Sequence, residues 1–498
     1  MDVSSARAAH EPLLPEDWMF LACESPDVPM HVGATLLFEP GRAPLGLDRL
    51  RRYMEAHLDD VPRYRQRLAY TPIDRRPVWV DDGDFDLAAH VGQVTLASPG
   101  DDACFRSAVS RILSRPLARR GPLWECWLID GRADGRFALV TKIHHCMVDG
   151  VAGADLLALL LSPTPQAREP APRPWTPRPS PTALTLLGET LLRPAGLVRD
   201  IWRQAARIAR DPRRLGDYAP VVRALWQSME TATQRAPTSP LNRPLGPHRV
   251  VAYAQTDFGR ARTIKAALGG TVNDVVLTTV AGVLRRFLLA RDPEMDIADL
   301  RVLVPVDRRG GDRLPLGNHI SGWIVPLPVS VRAPLERHAR VRQATEHLKR
   351  TEFARAGELL MATTGSLLGA ALKLVEHLRP FNVTVSNIPG PPMPLYLLDA
   401  RLDAIHPHVP LFPGQGLSVA VLSYAGHLHW GFTGECQIVP DLERLADAVE
   451  WSLAELETAA GTARTRQPPA SVRWSEPVVH GSTNADTPSP ARVAAPGP

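Results

Sequence analysis

Residues 137–161 read Phe-Ala-Leu-Val-Thr-Lys-Ile-His-His-Cys-Met-Val-Asp-Gly-Val-Ala-Gly-Ala-Asp-Leu-Leu-Ala-Leu-Leu-Leu. Residues 137–143 follow Gly135 and are mostly apolar, aromatic or β-branched, so they predict a β-strand. Residues 151–161 are apolar and predict a helix. The polar residues between them, beginning with His144 and His145, therefore lie at a strand end, where a rigid scaffold delivers side chains into a crevice.

The two adjacent histidines suggest proton transfer more than metal binding. Neighbouring residues on a strand point to opposite faces, so His144 and His145 cannot easily bind one metal ion, and we predict no metal. One histidine should face the protein interior and the other a cavity. A histidine that titrates near neutral pH can take a proton from an alcohol, whereas the structural alternative is a pair of hydrogen-bonded polar residues. Asp149 can brace the loop, and Gly150 lets it turn tightly.

Composition describes a folded protein of more than one core. The chain has 498 residues, of which 44% are hydrophobic and 22% charged, so two domains of roughly 150 to 220 residues are expected. The net charge of +4 is too small for a nucleic-acid-binding surface. Five scattered cysteines without a C-x-x-C pair favour a reducing cytosol. No apolar stretch reaches the roughly 20 residues that span a bilayer, so any membrane contact should be peripheral.

A proline-rich segment divides the chain. Eight prolines lie between Ser162 and Thr182, which favours an extended linker. We therefore predict an N-terminal half over residues 1–161, a linker with crossover helices over 162–245 and a C-terminal half over 246–462. The Pro-, Ser- and Ala-rich residues 463–498 predict a disordered tail.

Within the crossover region, residues 196–210 predict an amphipathic helix with a basic face. Its arginines recur at helical spacing at Arg199, Arg203, Arg207 and Arg210. Such a helix can lie in a membrane interface with its arginines on anionic headgroups. The alternative is a helix packed between domains with a solvated basic face.

Elements of both kinds are predicted in the second half as well. Residues 271–289 predict a helix, residues 302–306 and 382–386 predict buried strands, and residues 417–432 predict a hairpin that turns at Ala425 and Gly426. The fold class is therefore α/β in both halves.

The pattern His144-His145-x-x-x-Asp149-Gly150 resembles the signature of the acyl-CoA-dependent acyltransferase superfamily, which includes chloramphenicol acetyltransferase and peptide-synthetase condensation domains. From about residue 12 to about residue 458 the chain resembles bacterial wax ester synthase/diacylglycerol O-acyltransferases. The residues that carry the likeness include Pro29-Met30-His31-Val32-Gly33, Pro122-Leu123-Trp124-Glu125, Thr271-Val272-Asn273-Asp274-Val275-Val276, Val304-Pro305-Val306, Leu316-Gly317-Asn318 and Ser386-Asn387-Ile388-Pro389-Gly390-Pro391. The sequence departs from the usual pattern at Asp307-Arg308-Arg309 and at Ala118, which puts fine specificity in doubt.

The resemblance implies two chloramphenicol-acetyltransferase-like subdomains, each a mixed sheet with helices, with an active-site tunnel at their interface. It implies that His145 is the general base, that His144 supports the loop or lines the chamber, that Asp149 is mainly structural, and that no acyl-enzyme forms. The donor would be acyl-CoA, a substrate and not a cofactor. The acceptor would be diacylglycerol, giving triacylglycerol, or a long-chain alcohol, giving a wax ester.

Two other functions remain open at this point. One is a condensation-type or polyketide-modifying acyltransferase with a carrier-protein donor, and the other is an inactive lipid-binding homologue. For the acyltransferase, insoluble acceptors imply a cytoplasmic protein attached peripherally to the inner face of the plasma membrane or to lipid droplets, with no nucleic-acid partner.

Further motif residues have a structural and a functional interpretation. Pro122, Leu123 and Trp124 either turn the chain and fill a core or contact substrate. Asn273 and Asp274 open a helix, so capping is the simple interpretation, while the resemblance suggests that they shape the catalytic chamber.

Overall fold

The computed structural model describes residues 10–147, 157, 159–165, 174–188, 234–307, 320–350 and 379–462. These residues belong to one compact unit, Met1–Arg464. The basic helix predicted at 196–210 and the tail predicted at 463–498 lie outside the described residues.

Fifteen strands and seven helices of nine residues or more are described. The strands are β1 His10–Pro12, β2 His31–Phe38, β3 Gln66–Tyr70, β4 Pro77–Asp81, β5 Val91–Thr95, β6 Trp124–Asp130, β7 Phe137–His144, β8 Arg249–Asp257, β9 Leu300–Asp307, β10 Ile320–Leu327, β11 Val383–Ile388, β12 Tyr396–Leu397, β13 Ala400–His408, β14 Leu417–Tyr424 and β15 His427–Glu435. The helices are α1 Pro15–Cys23, α2 Leu47–His57, α3 Asp102–Ser114, α4 Phe258–Leu268, α5 Val272–Arg291, α6 Pro334–Arg350 and α7 Leu442–Ala459. A helical turn also covers residues 183–188.

The first large sheet has the strand order β12-β13-β2-β7-β6-β5. The predicted strand at 137–143 is confirmed as β7, which lies between β2 and β6 and is buried along its whole length. Its one lysine, Lys142, donates to the carbonyls of Ile112 and Arg115 at 3.1 and 2.8 Å and pairs with Glu125 at 3.0 Å. These partners allow a charged residue inside an otherwise apolar central strand.

Gly33 allows the close approach of β2 to β7. A Cβ atom at Gly33 would lie 2.2 Å from the backbone oxygen of Thr141, which is well inside van der Waals contact. This position therefore requires glycine.

The second large sheet has the order β10-β9-β11-β14-β15-β8, and β11 runs parallel to both β9 and β14. The strands, the helix and the hairpin predicted in this half are confirmed as β9, β11, α5 and the pair β14–β15. The hairpin turns at Ala425 and Gly426, both with positive φ. Helix α5 is buried over most of its length, and the sheet and helices together form the larger core. The α/β class with a mixed sheet in each half is confirmed.

The sheets do not follow the linear division of the chain. Strand β13 comes from the C-terminal half in sequence, yet it pairs antiparallel with β2 in the first sheet. The two sheets also touch directly, because a Cβ at Gly431 of β15 would lie 1.9 Å from the oxygen of Pro407 in β13. The segment boundaries stay a prediction, but they cannot be boundaries between sheets.

Residues 174–182 of the proline-rich linker are free of helix and strand, as expected, while Ser162 at its start forms an isolated β-bridge with Tyr396 of β12. It is attached to the first half, since Arg178 makes a double contact with Asp81 and the Arg65 guanidinium lies 5.0 Å from the ring centre of Trp175.

Among the described residues, no single helix is long and apolar enough to cross a bilayer. Helices α4 and α5 meet the length and composition requirement together but meet at 102°.

Candidate active site

The candidate site lies where β7 ends. His144 is the last residue of the strand, and His145–Met147 form a single 3-10 turn, here called the catalytic turn. The amide of His144 donates to the carbonyl of Leu123 at 2.9 Å, and the amide of His145 donates to the carbonyl of Met30 at 2.8 Å. Segments before β2 and β6 therefore hold the backbone of both histidines.

His144 faces the protein interior and is 1% exposed. Its Nδ1 accepts a hydrogen bond from the amide of Cys146 at 3.1 Å, which places the proton of the neutral ring on Nε2. Nε2 lies 3.4 Å from Oε1 of Glu24. This distance is long for a hydrogen bond, so the contact is mainly electrostatic. The surroundings of His144 thus support a structural and orienting role.

His145 is the more accessible of the two histidines. Its ring stacks on Phe20 of α1, with 3.5 Å between ring centres and 13° between planes. Phe20 in turn lies beside Phe412, at 6.5 Å between centres. The Nδ1 atom of His145 is buried and has no hydrogen-bond partner of good geometry among the described residues. Nε2 is then the ring nitrogen on the accessible edge.

Electrostatics keep His145 neutral. Burial lowers the pKa of His145 to about 3, while its own backbone carbonyl acts in the opposite direction and charge on His144 lowers the pKa further. The ring is therefore unprotonated at neutral pH, which is the form that accepts a proton.

The Pro122-Leu123-Trp124 segment supports the site from the interior. Trp124 is fully buried, its indole N–H donates to the carbonyl of Tyr64 at 2.8 Å, and its ring stacks on His90. Leu123 is 1% exposed and contributes the carbonyl that binds His144. These contacts favour the structural interpretation of the segment.

Asp274 and Asn273 lie at the start of α5. Asp274 and Thr271 form a reciprocal capping box, and Asp274 also accepts from the Thr345 hydroxyl at 2.7 Å. Asn273 accepts from the side-chain amide of Asn387, at the end of β11, at 3.4 Å. The contacts described for this pair are with the second half of the chain and not with the catalytic turn.

Two predicted residues, Asp149 and Gly150, lie outside the described residues, so their roles stay predictions. Within the described ranges no group of three or more His, Cys, Asp or Glu side chains is arranged to hold a metal ion. A cavity of about 610 Å³ lies between α6 and β10, and none of its lining residues is a predicted site residue. The tunnel between the halves remains a prediction.

Phe20 and Glu24 were not identified from the sequence. They precede β7 by more than a hundred residues. In a single sequence, nothing marks a phenylalanine in a short helix, or a glutamate after it, as part of a distant site. The sequence signal nearest to them is Pro29-Met30-His31, which marks the start of β2.

Two family models match the chain. The wax ester synthase/diacylglycerol acyltransferase catalytic domain matches residues 13–276, and the C-terminal domain of the same family matches residues 316–457. The chain belongs to the wax ester synthase/diacylglycerol acyltransferase family. It is therefore an acyltransferase, as the His144-His145 pattern predicted.

Relatives and solved structures agree with this membership. A probable diacylglycerol O-acyltransferase of Mycobacterium tuberculosis is 33% identical over 466 residues, covering 90% of this chain and 99% of the relative. The solved wax ester synthase/diacylglycerol acyltransferase of Marinobacter aquaeolei VT8 superposes with a TM-score of 0.64 at 28% identity, covering 90% of this chain and 100% of that one.

A condensation domain shares the fold at lower identity. The starter condensation domain of rhizomide synthetase, solved with C8-CoA and Leu-SNAC, has a TM-score of 0.56 at 15% identity, covering 93% of this chain and 97% of that one. At this identity the likeness concerns architecture alone. The fold is therefore shared with a condensation domain, and this likeness assigns no substrate to the chain.

Proposed function

We propose that this acyltransferase moves a long fatty acyl group from acyl-CoA directly onto the hydroxyl of diacylglycerol or of a long-chain alcohol, with His145 as general base. The observation that carries the proposal is the partly exposed imidazole of His145, which follows the central strand β7 directly and is stacked on Phe20. The relatives named as diacylglycerol O-acyltransferases support the first acceptor, and the bifunctional name of the Marinobacter enzyme supports the second.

The chemistry follows from the neutral ring. Nε2 of His145 takes the hydroxyl proton while the acceptor oxygen attacks the thioester carbonyl carbon. The resulting oxyanion lies near the imidazolium, and their opposite charges attract each other. The C–S bond then breaks, and the CoA thiolate takes the proton back from Nε2. The products are an ester and free CoA, and the enzyme returns to its starting protonation state.

A carrier-protein donor is the weaker alternative, because its support is the shared fold of condensation domains at 15% identity. Free palmitoyl-CoA distinguishes the two donors. An enzyme that requires its acyl group on a carrier protein would leave free palmitoyl-CoA unused.

The direct test is His145→Ala, assayed by mass spectrometry with palmitoyl-CoA plus hexadecanol or dioleoylglycerol. Loss of the base should lower turnover by roughly 10²- to 10⁴-fold, while acyl-CoA binding and the melting temperature change little. The exposed His248, replaced in His248→Gln, is the matched control and should retain wild-type turnover. Turnover of His145→Ala within about tenfold of wild type would exclude His145 as the base.

We also propose peripheral attachment to the cytoplasmic face of the membrane or to lipid droplets, because both acceptors are nearly insoluble in water. The supporting feature is the basic face of the helix predicted at 196–210. Each arginine near an anionic leaflet contributes about 1 kcal/mol, so replacing Arg199, Arg203, Arg207 and Arg210 by Gln should weaken vesicle binding by roughly a hundredfold or more. Sedimentation with anionic liposomes at low and high salt measures this binding. Binding that does not weaken at high salt would contradict electrostatic attachment.

A further inference from the structure

We propose that Glu24 is a positioning residue for the acyl transfer, acting through His144 to hold the catalytic turn in its working geometry. The inference rests on the proposed role of His145 as base. The contacts of Glu24, however, are with His144, Met30 and Arg119. The role of Glu24 can therefore be tested separately from the role of His145.

Glu24 follows α1 immediately, and its side chain is 8% exposed. One carboxylate oxygen, Oε1, accepts the amide of Met30 at 3.2 Å and faces Nε2 of His144 at 3.4 Å. The other oxygen, Oε2, accepts Nε of Arg119 at 3.1 Å and also contacts Nη2 of the same guanidinium. Both oxygens of this buried carboxylate therefore have partners, and one of them is the histidine next to the base.

The carboxylate is charged in the folded protein. Burial by itself raises the pKa of Glu24, but the His144 ring, the Met30 amide and the Arg119 guanidinium together lower it to about 2. A negative charge 3.4 Å from Nε2 favours the tautomer of His144 that carries its proton there.

This tautomer matters because of the other ring nitrogen. With the proton on Nε2, Nδ1 of His144 is free to accept the amide of Cys146, which lies inside the catalytic turn. With the proton on Nδ1, that hydrogen bond becomes a contact between two donors. Glu24 thus stabilises the turn from one side through His144.

The same segment holds the turn from the other side. Glu24 binds the amide of Met30, and the carbonyl of Met30 accepts the amide of His145 at 2.8 Å. In addition, Phe20 covers one face of the His145 ring. Residues 20–30 therefore hold His145 in three ways: by the Phe20 ring, by the Met30 carbonyl, and by Glu24 through His144. Glu24 takes part in the last two, because it also binds the Met30 amide.

The test is a double-mutant cycle between Glu24 and His144. Misplacing a catalytic group by about 1 Å can cost 10²-fold, so we expect Glu24→Ala to lower kcat by roughly 10- to 100-fold with the KM for palmitoyl-CoA changed by less than about threefold. In a His144→Ala background the same change should lower kcat by several-fold less than it does in the wild-type background, because the path through His144 is already removed and only the contact of Glu24 with the Met30 amide remains.

Glu24→Gln and Arg119→Gln serve as matched variants. Glu24→Gln keeps an oxygen near Met30 and His144 but loses the charge, so its kcat should fall between those of wild type and Glu24→Ala. Arg119 is 43% exposed and pairs with the Glu24 oxygen that does not face His144, so Arg119→Gln should lower kcat by less than Glu24→Ala does. This variant separates the contact of Glu24 with His144 from its ion pair with Arg119.

Nuclear magnetic resonance gives a readout that does not depend on turnover. In protein labelled with ¹⁵N in the histidine rings, the signals of His144 are identified by their loss in His144→Ala. Wild type should show Nε2 protonated and Nδ1 unprotonated, and Glu24→Ala should show a mixture of tautomers. An unchanged tautomer in Glu24→Ala, or fully additive losses of kcat in the cycle, would overturn the positioning role even where His145→Ala confirms the base.

Discussion

Mild acid should unfold this enzyme, because histidines are buried where its two large sheets meet. His406 and His408 on β13 and His429 on β15 form this interface histidine cluster, and each is at most 7% exposed. The rings of His406 and His429 lie 5.6 Å apart between centres, and His406 also stacks on Tyr253.

The sign of the effect follows from the pKa values. Burial lowers the pKa of His406 and of His408 to about 3 and that of His429 to about 4, although nearby Asp403 raises the last slightly. In the unfolded chain a histidine titrates near 6.5. As the pH falls below about 6.5 the unfolded chain binds protons that the folded protein does not, so stability falls between about pH 6.5 and pH 3, the folded pKa of His406 and His408.

The size of the loss follows from the same values. At pH 5 each histidine favours the unfolded chain by about 2 kcal/mol, because pH 5 is about 1.5 below the unfolded pKa and one pKa unit corresponds to about 1.4 kcal/mol. The interface histidine cluster together then costs about 6 kcal/mol. Since folded proteins are stable by about 5 to 15 kcal/mol, this loss removes a large part of the stability, and the acid-unfolding midpoint should lie at about pH 5 or below.

Urea titrations at pH 7 and pH 5, followed by circular dichroism and tryptophan fluorescence at constant ionic strength, measure this loss. His429→Phe removes a titrating ring whose nitrogens have no well-aligned hydrogen-bond partner in the described residues. It should recover about 2 kcal/mol at pH 5 and change little at pH 7. The exposed His248→Gln should recover nothing. Equal unfolding free energies at pH 7 and pH 5, within about 1 kcal/mol, would refute the reasoning.

Three substitutions test the structural interpretation of other motif residues. Trp124→Phe leaves the Tyr64 carbonyl without its donor and should lower the free energy of urea unfolding by about 1 to 3 kcal/mol. The kcat/KM of the folded variant should stay within about threefold of wild type. Lost activity at unchanged stability would mean that Trp124 contacts substrate. Asp274→Ala removes the capping box and the Thr345 contact and should cost about 1 to 3 kcal/mol by the same measurement, whereas an unchanged urea midpoint would contradict the capping role. Gly33→Ala forces β2 away from β7 and should lower the free energy of unfolding by about 1 to 3 kcal/mol. It should also lower activity, since His31 pairs with His144 in the register of these strands. A wild-type melting temperature would show that the strands can part without strain.

Local patterns in the sequence predicted much of the secondary structure. Strand β7, helix α5 and the hairpin β14–β15 were all predicted from short runs of residues, because a run of apolar residues or a Gly-containing turn restricts the backbone wherever it occurs. The family and the place of His145 at a strand end came from the same kind of local information.

The pairing of β13 with β2 could not be predicted in this way. These strands are separated by more than 360 residues, and their partnership depends on which apolar face each finds in the folded chain. The same limit applies to Glu24, whose neighbour His144 is 120 residues away.

The sequence by itself therefore determined the chemistry that the chain carries: a histidine pair at a strand end, in an α/β protein of a recognisable acyltransferase family. Only the tertiary structure decided the proton affinity and the tautomer of the two histidines. It placed His144 against Glu24, stacked Phe20 on His145 and buried both rings to different extents. Proton affinity and tautomer depend on burial and on neighbouring charges, and these are set by contacts between distant parts of the chain.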